Sequence, residues 1–445
     1  MSKRSFLIVI LLAAVPAWPQ ASTNADNVST VDDRMLVPAP VSGEAYSVAL
    51  DSGERSNYLH YGLTFGSAYS DNVLGATFGH PVSDISYSIA PTIGLNKTTP
   101  RLLWDVTYAP GFTFYQRTSE RNESDHNALL TFQYRLSPHV TLSARDSFQK
   151  SSNVLNQLGM LGDSVTGGAQ GPNLSVIAPL ADRLSNYGNI GVTYQYGAND
   201  MVGVSGSFSN LHYANTAQVT GLSDQSSQGG TAFYSHRVAK RHYFGATYQY
   251  QRLLSYPNGL NNETKTHAVF AFYTVYPSSQ LSISLFGGPQ HEDTVQPALP
   301  SFELPAYTSR SWNPAAGASL NWQGHFTNAA VSYSHVISGG GGLMGAVHLD
   351  QANASTWLQF SESLSGSISG FYANNNMVGP ALLFDNGHTI SGTVAMQRRF
   401  GPHLRLDLGY TRIHQSYSVL VLNGTPDTNR EFISISYDFA RPLGR

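Results

Sequence analysis

Leu102-Leu103-Trp104-Asp105-Val106-Thr107-Tyr108-Ala109-Pro110-Gly111-Phe112-Thr113-Phe114 is the stretch that decides how this chain folds. Every even-numbered residue in it is apolar, and those between are mostly small or polar. A period of two places the apolar side chains on one face of a β-strand and the others on the opposite face. The same alternation recurs almost to the last residue, and the rest of the sequence says which way the apolar face turns.

Charged residues make up only 12% of the chain, about half the ~25% usual for soluble domains. Gly, Tyr and Phe are abundant, numbering 41, 25 and 21, and there is no cysteine. A secreted chain without disulfides must be held by its core and by backbone pairing. Net charge is −3, with no basic block that would suit nucleic acid. The N-terminus carries Lys3 and Arg4, an apolar run from Phe6 to Val15, then small residues and proline up to Ala21. That is the layout of a secretory signal peptide, expected over 1–21. A polar, proline-containing stretch over 22–56 reads as a disordered periplasmic tail, and residues 57–445 as one β-barrel. Outside the signal region no apolar run approaches the ~20 residues a membrane-crossing helix needs.

The alternation predicts eighteen strands, with sixteen as the alternative count. They fall at roughly 58–70, 84–97, 101–115, 125–136, 139–150, 185–197, 200–212, 229–239, 241–253, 265–276, 279–290, 312–323, 325–337, 351–361, 364–374, 387–399, 402–414 and 429–440. Such lengths suit tilted membrane strands with overhang. Short connections such as Leu136-Ser137-Pro138-His139 and Phe400-Gly401-Pro402 alternate with long ones, including 151–184, 213–228, 291–311 and 338–350. Short turns on one rim and long loops on the other are the signature of an all-β, antiparallel up-and-down barrel in the bacterial outer membrane, with the turns periplasmic. Its apolar rows, for example Leu59, Tyr61, Leu63 and Phe65 or Leu404, Leu406, Leu408 and Tyr410, are expected to face lipid. Closure is required, because each unpaired backbone group in hydrocarbon costs several kcal/mol. The first strand must then pair with the last.

The opposite face gives the candidate site. Its lumen-lining charges and amides are Asp105, Gln133, Arg135, Arg145, Gln195, Gln249, Arg405, Asp407 and Asp438. Charges of both signs across a lumen select what passes; the alternative is that they pair with one another and stiffen the wall. Arg405 and Asp407, two apart on one face, are placed to form a ladder with Asp438 on the next strand. Tyr58, Tyr243 and Phe286 point inward either as stacking surfaces for sugars or as packing. Three irregularities stand out. Pro91 and Pro110 fall mid-strand in neighbouring strands and should thin one ladder at one place. Asp146 shares its row with Val140, Leu142, Ala144 and Phe148, which predicts either a bulge near Ala144, the favoured reading, or a fifth strand that already rises out of the bilayer there. His291-Glu292-Asp293 is a weak metal triplet in an expected loop, and Gly339–Gly342 a flexible loop tip. No catalytic residue, metal site or cofactor is assigned.

Tyr69-Ser70-Asp71-Asn72-Val73, and Asn127 with Tyr134-Arg135-Leu136-Ser137-Pro138 before the Asp146-bearing strand, carry a resemblance. Over roughly 57–440 the chain resembles the "putative beta-barrel porin 2" family of bacterial outer-membrane β-barrel proteins. The resemblance implies a porin-like or polysaccharide-secretion role, with polysaccharide export components as partners. Outer-membrane lipid and lipopolysaccharide are expected around the barrel. The final strand, Glu431–Phe439, looks like the signal read by the outer-membrane insertion machinery. The leading function is an aqueous pore for small hydrophilic solutes or exported polysaccharide. Two other readings stay open: a non-conducting structural or adhesive barrel whose 151–184 loop blocks the lumen, and an outer-membrane hydrolase. Against the last stands the lack of a Gly-x-Ser-x-Gly elbow.

Overall fold

The structure is a computed structural model, and it describes residues 35, 57–74, 81–151, 182–214, 222–298, 305–343, 345–378, 386–417 and 427–442. The chain divides into Met1–Arg34, which lies outside the described residues, and Met35–Arg445. The signal-peptide expectation therefore falls outside the described residues, as do most of the tail and residues 152–181 of the longest loop.

Eighteen strands form one antiparallel sheet: β1 Tyr58–Ser70, β2 Asp84–Thr98, β3 Leu102–Tyr115, β4 Glu123–Arg135, β5 Val140–Ser151, β6 Arg183–Gln195, β7 Asp200–Tyr213, β8 Gln225–Ala239, β9 His242–Ser255, β10 Asn262–Val275, β11 Leu281–Gln296, β12 Tyr307–Gln323, β13 Thr327–Gly339, β14 Ala346–Gln359, β15 Leu364–Met377, β16 Asn386–Phe400, β17 Leu404–Tyr417 and β18 Thr428–Pro442. Each pairs with its sequence neighbours, and β1 pairs with β18 from Tyr58↔Pro442 to Ser70↔Arg430. The barrel is closed as backbone satisfaction in lipid demands. The expected strand count and order hold, with ends shifted by a few residues.

Alternation fixes the two faces. Tyr61, Leu63, Phe65, Ile89, Phe112, Val204, Val394, Leu408 and Ile435 are all exposed on the outside. An exposed apolar band of this extent has no place in water and matches hydrocarbon. Trp312 and Trp322 sit on the same outward row of β12. Ten residues of tilted strand separate them, which is roughly 25 Å along the barrel axis, the height of the apolar band. Inside, cross-strand hydroxyl pairs bind the wall: Thr64 with Ser436 at 2.9 Å, Ser209 with Ser227 at 2.6 Å, Thr264 with Thr294 at 2.9 Å and Thr393 with Thr411 at 3.0 Å.

Several expectations are corrected. β5 pairs with β4 and β6 without a break, so there is no bulge near Ala144. Asp146 does face outward, where Asn186 Nδ2 donates to it at 3.3 Å. Lys150 and His126 share the outward rows above it, so the exterior of β4–β6 is already polar at this level. The period of two also runs further than expected into 291–311 and 338–350, which belong largely to β11, β12, β13 and β14. His291 and Asp293 consequently face out while Glu292 is buried inside, which dismantles the metal triplet. Among the described residues no cluster suits a metal ion.

Candidate solute pathway

Pro91 and Pro110 lie opposite each other. The β2–β3 ladder runs Ile89↔Phe112 and resumes at Ile93↔Tyr108, with no rung between. Both prolines stay in register with their other neighbours, Leu63 and His126. Their missing N–H groups thus face one another, and the ladder closes again on both sides. A second pair, Pro289↔Pro314, behaves differently. There the β11–β12 ladder is continuous, so each missing donor points away, Pro289 toward β10 and Pro314 toward β13. The β10–β11 ladder skips from Ala268↔Gln290 to Ala271↔Gly287. The β12–β13 ladder stops at Ala316↔His335 and never resumes. Where β10 skips, Gly288 lies so close that a Cβ there would stand 1.9 Å from the Val269 carbonyl oxygen.

Above His335, β13 parts from β12 and, with β14 still paired to β15, the hairpin bends inward across the lumen. The Ile337 N–H, which in register would face Pro314, donates instead to Gln290 Oε1 on the inner face of β11 at 3.1 Å. The hairpin end reaches β7 and β8: Tyr213 OH donates to the Gly341 carbonyl at 3.2 Å, Ser223 N to that of Gly342 at 2.7 Å, and Gln225 Nε2 to that of Leu343. Gly342 has φ +111°, a conformation that favours glycine, and a Cβ would meet the Tyr213 ring. The expectation of a flexible tip at Gly339–Gly342 is overturned, because its carbonyls are bonded to the facing wall. Leu253, Ile337, Ala346 and Val378 pack into one buried cluster in this crossing. Beside it, Ser209, Gln225, Asn262 and Thr264 help to line a small cavity.

The expected lumen residues are spread along the inner face. Asp105 accepts from Asn96 Nδ2 at 3.2 Å and stands opposite Thr131, which in turn stands opposite Arg145, while Gln133 is opposite Leu103, the next pair along the inner face. Arg135 Nη1 donates to the Pro100 carbonyl at 3.3 Å, which sets it on the short-turn rim. Gln249 lies between Thr231 and Ala268. Asp407 takes Arg405 Nε and Gln397 Nε2, both at 3.1 Å. Arg405 and Asp407 stand opposite Ser436 and Ser434, and Asp438, two residues beyond Ser436 on the same inner row, sits beside Gly62. Gln195 Oε1 accepts the backbone N–H of Met35 at 3.2 Å. Met35, buried at 5% exposure, packs on Met201 and Tyr243 with Phe233 and Tyr276. Tyr243 and Phe286 are thus packing residues, Phe286 lying 5.4 Å from Phe270.

Three inward ions were not singled out from the sequence. Arg183 and Arg430 are both buried in the long-loop half, and both lie within electrostatic reach of Asp125. Arg430 shares its row with Asp438, and Asp125 with Gln133, so the same alternation marks them.

No protein-family model matches the sequence, and no curated protein sequence does either. The chain is similar in structure to OpdQ of Pseudomonas aeruginosa, at 10% identity over 86% of this chain and 98% of that one, with a TM-score of 0.42. The outer membrane protein OpdK of the same organism gives 9%, 87%, 100% and 0.40. OccAB4 of Acinetobacter baumannii gives 10%, 88%, 100% and 0.40.

Proposed function

We propose that this chain is a porin-like channel of the bacterial outer membrane that passes small hydrophilic solutes along its axis. The observation that carries this reading is the pairing of faces: a closed ring of eighteen strands, apolar outside and lined inside by hydroxyls, amides and charges. Barrels of 16–18 strands are too wide for wall side chains alone to fill, so what remains is water unless something folds in. Here the β13–β14 hairpin does fold in, and it narrows the route without the bulk of a plug domain. A narrowed lumen favours single small solutes over a continuous exported polysaccharide.

Lipid and lipopolysaccharide meet the apolar band and its polar upper edge, and the aromatic-rich β18 serves the insertion machinery. Membership of the "putative beta-barrel porin 2" family rests on the Tyr69–Val73 and Tyr134–Pro138 motifs and belongs to the same proposal. Of the nine inward residues named from sequence, Asp105, Arg145, Arg405 and Asp407 are the ones we assign to ion selection. Liposome swelling tests the reading. Vesicles holding the full chain should swell in pentoses faster than in oligosaccharides; no swelling in any sugar contradicts it.

A further inference from the structure

Hydrogen bonds hold every strand pair of this wall along most of its length except one. On its β13 side, β12 is paired only from Ala316 to Gln323, the shortest register in the ring. From Tyr307 to Ala315 it pairs with β11 alone, and β13 from Val336 to Gly339 pairs with β14 alone. What closes the wall there, in place of backbone rungs, is side-chain packing together with the Ile337 N–H bond to Gln290 and the Tyr307 OH bond to the Val378 carbonyl. Ala315, 1% exposed, and Val336 pack with Ala268, Phe270 and Phe286. Extending the register from Ala316↔His335 puts Ala315 directly opposite Val336.

At the level of Ala315 and Pro314 the seam is apolar on both faces, while above it the inner face turns polar with Asn313, Ser311 and the buried Glu292. Behind it, the Ala268–Phe270–Phe286 cluster leads toward Leu253, Ile337, Ala346 and Val378, whereas other sectors of the lumen present mainly hydroxyls and amides. In front of it stand the exposed Pro314 and Trp312, the latter 70% exposed at the upper edge of the lipid band. Tyr307 OH reaches past both hairpin strands to the Val378 carbonyl at 3.0 Å, bracing the top of the opening. A hairpin bonded to the facing wall, beside an edge that lacks backbone rungs and is crossed by the Gln290–Ile337 and Tyr307–Val378 hydrogen bonds, is built to part at that edge.

We infer that the β12–β13 seam is a lateral portal through which single-chain amphiphiles pass between the lumen and the outer leaflet. The Pro91–Pro110 gap does not meet the same conditions, because its ladder resumes on both sides and no apolar track lies behind it.

The chain has no cysteine, so a disulfide placed across the seam is the sole one in the protein. The full-length A315C/V336C variant is reconstituted in phosphatidylcholine vesicles containing dodecylphosphocholine with a diazirine at its chain end. After photolysis, labelled residues are read by mass spectrometry. In the reduced protein we expect labels inside, on Phe270 and Ile337, as well as outside on Leu320. Oxidation should remove the interior labels and leave Leu320 labelled. The P314T variant, which restores a donor to the seam, should lower interior labelling without any disulfide. Interior labels absent from the reduced protein, or persisting under the disulfide, overturn the portal. Axial conduction is read separately: a barrel that conducts without interior labelling keeps the pore and loses the portal, and the converse result does the opposite.

Discussion

The backbone N–H of Ile337 donates to the side-chain oxygen of Gln290 at 3.1 Å, taking the place of a rung with Pro314. A buried backbone donor must find a partner, and one left without costs about 1–3 kcal/mol. Gln290 therefore holds the β13–β14 hairpin inside the lumen. Q290L should free it, and channel recordings should show larger and noisier currents than the wild type, with unchanged barrel content by circular dichroism.

Pro91 and Pro110 together remove two donors from one rung. P91A/P110A restores both. Each new hydrogen bond contributes about 1 kcal/mol, partly offset by the entropy regained by the unfolded chain. The expected outcome is a gain of about 1 kcal/mol in urea-dependent refolding into vesicles. Unchanged stability means the strands already satisfy these groups in another way.

The two faces should respond oppositely to charge. Val394 is half exposed toward lipid, and V394R should cost about 2–4 kcal/mol of refolding stability, as arginine does near a bilayer midplane. Thr393 next to it faces the lumen, paired with Thr411. T393R should cost less stability and should lower conductance. Equal losses from both variants contradict the assignment of faces.

Arg405 and Asp407 form an ion pair inside the wall. D407N leaves the guanidinium uncompensated by that carboxylate, so the lumen gains positive potential. Reversal potentials measured in a KCl gradient should move toward anion selectivity. A value equal to that of the wild type removes Asp407 from the set that selects ions.

Most of the wall was legible in the sequence, because a period of two over a dozen residues has one physical meaning. The Leu102–Phe114 run reads directly as β3, and counting back through a short turn brings Pro91 close to Pro110, opposite about residue 108, two residues short of the register found. The crossing hairpin was not legible. It depends on Gln290, Tyr213 and Gln225, partners far from Ile337 in sequence that no local pattern connects. Pro289 and Pro314 were available as a signal, since the reasoning applied to Pro91 and Pro110 applies to them. What their spacing alone does not give is the direction of the missing donors, which separates a gap that closes again from one that lets a strand leave the wall. Asp146 shows the reverse case: a correct outward face, with a bulge inferred where Asn186 already supplies a partner.

Single-channel recording in planar bilayers reads out a water-filled axial route narrowed by the β13–β14 hairpin. The full chain should insert with discrete, ohmic conductance steps. A variant in which a two-residue turn replaces residues 340–345 should give larger steps. Silent bilayers with both proteins, at matched insertion, would rule out such a route.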